Sequence, residues 1–171
     1  MASKMNIPFS PPDITQEEID EVAEALRSGW ITTGPRVKEL ERQLAEYLGV
    51  KRCVCLNSQT ACAEMALRVL GVGPGDEVIV PAYTYTASAS VICHVGATPV
   101  MVDCASDSLE MDYDAMAHAI TERTKAVIPV DLGGVPCDYD TIFAALEAKR
   151  DLFHPASDIQ ETLGRVAVCE D

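Results

Sequence analysis

The sequence predicts an α/β fold: three αβα layers, with a mainly parallel sheet covered by helices on both faces. Two observations carry this. From Lys51 onward, short β-branched or apolar runs alternate with helical stretches, at residues 53–56, 77–80, 98–102, 126–130 and 166–169 for the strands. Those runs are close to continuously apolar, as strands buried on both faces are, and strands that alternate with helices cross over into parallel pairs. With 171 residues, 48% of them hydrophobic, the chain has material for one substantial core.

The elements follow in order. Thr15-Gln16-Glu17-Glu18 has the spacing of a capping box, and Ile19, Val22, Ala23 and Leu26 then recur at helical intervals until Ser28-Gly29. Gly34-Pro35 opens a second helix with Val37, Leu40, Leu44 and Leu48 as its apolar stripe, ended by Gly49. Helices are expected at 60–70, 86–94, 112–120 and 138–149, bounded by Gly71, Gly96, Asp112 and Asp138, and Gly73-Pro74-Gly75-Asp76 makes a tight turn. The long, insertion-like connection 150–164 has an amphipathic look but no assigned structure. Residues 1–14 read as an extension and 15–171 as one domain, without repeats or low-complexity linkers.

Thirteen basic against 27 acidic residues give a net charge of −14, which argues against a broad nucleic-acid or anionic-membrane surface. The seven cysteines are odd in number, fall mostly inside apolar runs and form no C-x-x-C pair, so buried thiols are expected rather than metal ligands. No run approaches the roughly 20 apolar residues that span a bilayer, and no signal-peptide core is visible at the N-terminus; a cytoplasmic address is expected. His94, His118 and His154 are scattered and match no hydrolase triad.

Chemistry concentrates elsewhere. Asn57-Ser58-Gln59-Thr60-Ala61 lies between an apolar run and a helix, where unpaired N–H groups and the Ser58 and Thr60 hydroxyls can surround a phosphate. In an open parallel sheet, ligands bind beyond the carboxyl ends of the strands. That edge is expected to collect the 57–60 turn, Tyr83 and Tyr85, Asp131 with Gly133-Gly134, and Glu170-Asp171. A flat aromatic ligand with a phosphate and a ring nitrogen uses all three kinds of group: amides, a stacking ring and an acid.

These residues resemble a known family. Gly29-Trp30-Ile31-Thr32-Thr33-Gly34-Pro35, Ser58-Gln59-Thr60-Ala61, the run from Gly73 to Pro81 followed by Ala82-Tyr83-Thr84-Tyr85-Thr86-Ala87, and Cys169-Glu170-Asp171 look like the N-terminal part of the DegT/DnrJ/EryC1/StrS aminotransferases. The resemblance implies a partial large domain of a fold type I pyridoxal 5′-phosphate (PLP) transferase. It implies amino-group transfer from an amino acid to a nucleotide-linked keto-sugar, by ping-pong chemistry in a homodimer. It places the PLP phosphate on Gln59 and Thr60, stacks Tyr85 on the pyridine ring, pairs Asp171 with the ring nitrogen, and puts Thr33 near the sugar nucleotide.

Gln59 departs from the family's usual Gly or Ala in the turn. The Schiff-base lysine that the resemblance implies lies beyond Asp171, and Lys4, Lys38, Lys51 and Lys125 do not fit that role. The chain as it stands is therefore expected to be inactive, with an unfinished sheet edge. Two alternatives remain: a PLP-dependent sugar dehydratase, and a catalytically silent module that binds a phosphorylated ligand or assembles with a partner. A dinucleotide-binding domain is disfavoured, because no G-x-G-x-x-G follows the first strand.

Overall fold

The computed structural model describes Ile7, Pro8 and residues 10–171; Lys4 lies outside the described residues. The chain divides into two compact units, one running to Cys55 and the other from Leu56 to Asp171. The first unit carries α1 (Gln16–Arg27) and α2 (Pro35–Leu48). The capping box at α1 forms as expected: the Thr15 hydroxyl accepts from Glu17 N–H, and the Glu18 carboxylate accepts from Thr15 N–H at 2.6 Å. Pro35 stands at the first turn of α2 and Gly49 ends it in the left-handed conformation.

The second unit holds α3 (Gln59–Leu70), β1 (Glu77–Pro81), α4 (Thr86–His94), β2 (Thr98–Val102), α5 (Tyr113–Ala119), β3 (Thr124–Val127), α6 (Tyr139–Ala148), α7 (Asp158–Leu163) and β4 (Ala167–Val168). The four strands form one sheet in the order β2-β1-β3-β4, and every neighbouring pair is parallel. Alternation along the strands builds a core on each face. Val78, Val80, Ala126 and Ile128 pack with Leu67 of α3 and Val91 and Ile92 of α4. Ile79 and Val127 point the other way, onto Met116 of α5 and Ile142 and Leu146 of α6. All five residues of β1 are buried, as a central strand covered on both sides requires.

The structure corrects three expectations. Residues 53–56 form no strand: an apolar run becomes one only where a neighbour offers a ladder, and here the Cys55 amide donates to the Glu41 carboxylate at 2.9 Å. The third strand starts two residues earlier than the apolar run suggests, because Thr124 and Lys125 are buried as it enters the sheet. The cysteines are not uniformly buried. Cys137 is, but Cys62 and Cys93 are exposed and the other four are partly covered, because an apolar helical run still turns one face to solvent.

The 150–164 connection contains α7, whose Ser157 cap and Gly164 stop are ordinary helix signals. Its Gln160 is almost fully buried and bridges two elements. Nε2 donates to the carbonyl of Leu70, the last residue of α3, at 2.9 Å, and Oε1 accepts from Ala156 N–H at 2.9 Å. Gly71 is required beside it: its φ is +76°, and a Cβ there would stand 2.8 Å from the Ser157 Cβ. Replacing Gln160 by Ala is expected to lower the unfolding free energy by about 1–3 kcal/mol, because two buried hydrogen bonds are lost together. Urea unfolding checks this, and unchanged stability would show that α7 does not brace α3.

Candidate functional site

The carboxyl edge of the sheet is where α3 and α4 open. α4 follows β1 and runs back along it; α3 reaches the amino end of β1 through the short 71–76 turn, so it also runs against the strands. The two helices meet near their carboxyl ends, where Arg68 donates to the His94 carbonyl at 3.2 Å and the His94 ring bonds the Glu64 carboxylate at 2.9 Å. Their amino ends therefore face the same rim, the one at which β1, β3 and β4 finish.

At the start of α3, the Ser58 hydroxyl accepts from Ala61 N–H at 3.1 Å and the Ser58 carbonyl accepts from Cys62 N–H at 3.1 Å. Ser58, expected beside the anion cradle, thus also caps its helix, its hydroxyl oxygen accepting while its proton stays able to donate. The N–H groups of Gln59 and Thr60, at the first two helical positions, have no intrahelical acceptor, and the partly covered Thr60 hydroxyl stands beside them. Such a terminus favours an anion by hydrogen bonding and by the helix dipole. Tyr85 is the N-cap residue of α4 and is 81% exposed.

Asp171 is fixed by the sheet. Parallel pairing continues past β3 and β4: Cys169 N–H donates to the Val127 carbonyl at 2.9 Å, Asp171 N–H to the Pro129 carbonyl at 3.0 Å, and Asp131 N–H to the Asp171 carbonyl at 2.9 Å. Its side chain is fixed by α4, through a hydrogen bond from the Ser88 hydroxyl to Oδ2. Ser88 lies one helical turn after Tyr85, and its N–H donates to the Tyr85 carbonyl at 3.2 Å. The structure thus ties Asp171 to the first turn of the helix that Tyr85 caps, and sets the Gln59–Thr60 turn on the same edge.

Ser88 was missed in the sequence, where 83 positions separate it from its partner. A signal did exist. It occupies the buried stripe of α4 with Val91 and Ile92, and a hydroxyl on such a stripe needs a partner.

Asp131 shapes the neighbouring loop. Its Oδ1 accepts from Cys137 N–H and from the Tyr139 hydroxyl, both at 2.9 Å. Burial pushes its carboxyl up, but these hydrogen bonds outweigh burial and hold it below the ordinary range. Glu170 moves the other way, raised first by burial and then by the charge of Asp131. Burial, with Asp131 beside it, also lifts the Cys137 thiol to about 11.

The lysines of this unit lie away from the rim. Lys125, at the amino end of β3, donates to the carbonyls of Glu122 and His154 at 2.9 and 2.7 Å, and Lys149 follows the carboxyl end of α6. Thr33, Lys38 and Lys51 belong to the first unit. There the Thr33 carbonyl accepts from the Trp30 indole at 3.2 Å, beside an apolar groove of about 860 Å³ lined by Leu26, Trp30 and Ile31. Gly34 lies beneath that indole, where a Cβ would fall 2.0 Å from the ring nitrogen and force the ring to move. Among the described residues, no cluster of His, Cys, Asp and Glu could hold a metal ion, and no helix is long and apolar enough to cross a membrane.

The family described as DegT/DnrJ/EryC1/StrS aminotransferases matches residues 12–153, and the chain belongs to it. Spr1654 of Streptococcus pneumoniae, assigned as a sugar aminotransferase and solved in its PLP form, is 62% identical with a TM-score of 0.94 over 98% of this chain and 43% of its own. An aminotransferase from Psychrobacter cryohalolentis is 34% identical with a TM-score of 0.79, over 96% of this chain and 38% of its own. The spore coat polysaccharide biosynthesis protein SpsC of Bacillus subtilis (strain 168) is 45% identical over 86% of this chain and 38% of its own length. The chain thus spans about two fifths of the length of these relatives.

Replacing Asp131 by Ala strands the Tyr139 hydroxyl and the Cys137 amide, and is expected to cost about 1–3 kcal/mol at neutral pH. The folded-state carboxyl of Asp131 is lowered, so its contribution is complete above its unfolded value and fades as pH falls through the folded one. Unfolding measured across that acid range is expected to show wild type and variant converging; a gap that stays constant would remove Asp131 as the source.

Proposed function

We propose that this chain is the cofactor-gripping part of a PLP-dependent aminotransferase that moves an amino group from an amino acid to a nucleotide-linked keto-sugar, working in the cytoplasm as a homodimer. One observation carries this reading: an aspartate at the sheet rim is held against the first turn of a helix led by an exposed tyrosine, with a second helix opening its amino end on the same edge. The family and the 62% identity to a relative solved with PLP support it.

The residues present fit the cofactor. Two N–H groups and one hydroxyl, at Gln59 and Thr60, are free to hold a phosphate without any cationic side chain. Asp171 keeps one carboxylate oxygen without a partner among the described residues, available to hold a proton on a ring nitrogen. Tyr85 would stack on one face of the cofactor ring and exclude water there. When bound, PLP supplies an electron sink for breaking the substrate's Cα–H bond. Thr33 is assigned to the sugar-nucleotide contacts on the strength of its motif. The chain's own part in catalysis is to bind and orient, and none of its described lysines is assigned a covalent role.

Titrating the chain with pyridoxamine 5′-phosphate, whose binding needs no covalent link, tests this reading by calorimetry or by the ligand's fluorescence. Saturable binding is expected, weakened about ten-fold by Asp171→Asn and several-fold by Thr60→Ala. Failure to saturate, or equal affinity in Asp171→Asn, would remove the proposed site.

A further inference from the structure

The Ser88 hydroxyl is nearly inaccessible, with the residue only 2% exposed, and it spends its single proton on Asp171 Oδ2. It is the one side-chain partner of that carboxylate among the described residues. Main-chain bonds at Pro129 and Asp131 hold the backbone of Asp171, but they leave its two side-chain torsions free to choose among rotamers. Ser88 removes that freedom. It also leaves Oδ1 as the oxygen free to meet a ligand.

The same residue is tied through the main chain to Tyr85. Its N–H bonds the Tyr85 carbonyl, and Val91 and Ile92 anchor its helix in the core. Displacing Ser88 would therefore move the acid relative to the tyrosine. On the reading that Asp171 meets the cofactor's ring nitrogen, we propose that Ser88 is a positioning residue: it sets the carboxylate of Asp171 at a fixed height and angle relative to the ring of Tyr85, so that the ligand finds both groups already aligned. An acid locked in its binding rotamer loses less entropy when the ligand arrives, so the gain is in affinity.

A double-mutant cycle with pyridoxamine 5′-phosphate as the probe tests this. Ser88→Ala is expected to weaken binding about three- to ten-fold, and Ser88→Thr, which keeps the hydroxyl, to restore it to within about two-fold. In an Asp171→Ala background, Ser88→Ala is expected to change nothing further. Wild-type affinity in Ser88→Ala, with Asp171→Ala still weak, would overturn the positioning role and leave the cofactor site standing. An equal loss in both backgrounds, accompanied by a lower melting temperature, would also overturn it and mark Ser88 as merely structural. Wild-type affinity in Asp171→Ala would instead overturn the cofactor site itself. Ser88→Cys, close in size but a poor donor, supplies the same comparison if the alanine variant fails to fold.

Discussion

The placement of Asp171 depends on a main-chain ladder. Two formal residues of β4 would be a weak basis for a binding group, but the pairing with the chain after β3 runs on through Cys169, Asp171 and Asp131. These bonds sit at the sheet edge, in register with strands buried on both faces. A slip of one residue would turn Asp171 to the other face and swap Ala167 and Val168 between the two cores. The two hydrophobic cores thus fix the register, and the register fixes the acid.

Charge at this rim is managed locally. The chain is strongly acidic, so a phosphate would meet an unfavourable long-range field. The start of α3 answers with backbone dipoles and N–H groups, which need no cation and cannot be titrated away. Three carboxyl groups, Asp131, Glu170 and Asp171, gather where β3 and β4 finish, and they are treated differently. Asp131 is satisfied by two donors and stays ionised more readily, Glu170 is driven toward its neutral form, and Asp171 receives one hydroxyl.

Much of this was legible in the sequence. The capping box at Thr15, the proline and glycine that bound α2, and the apolar stripes of α3, α4 and α6 are local signals, and helices obey local signals closely. The edge strands were harder. Residues 53–56 are as apolar as true strands, but whether an apolar run pairs is decided by what lies beside it. Short α7 hid inside a polar connection, because six residues offer too little periodicity to read. Gln59, Thr60, Tyr85 and Asp171 were identifiable as rim residues from their position after apolar runs, but Ser88 was not, since its meaning lies in a partner 83 residues away.

By itself, the sequence determined the order of helices and strands, the parallel arrangement they require, the family, and the kinds of group available for an anion, a ring and a nitrogen. The family follows from the resemblance of its motifs, and the rest from residue type and spacing along the chain. Tertiary structure decided which apolar runs became strands, that Ser58 caps its helix, and that a serine holds the acid. Such outcomes depend on which groups meet through space, and a hydrogen bond between distant residues exists only once the sheet has brought them within about 3 Å.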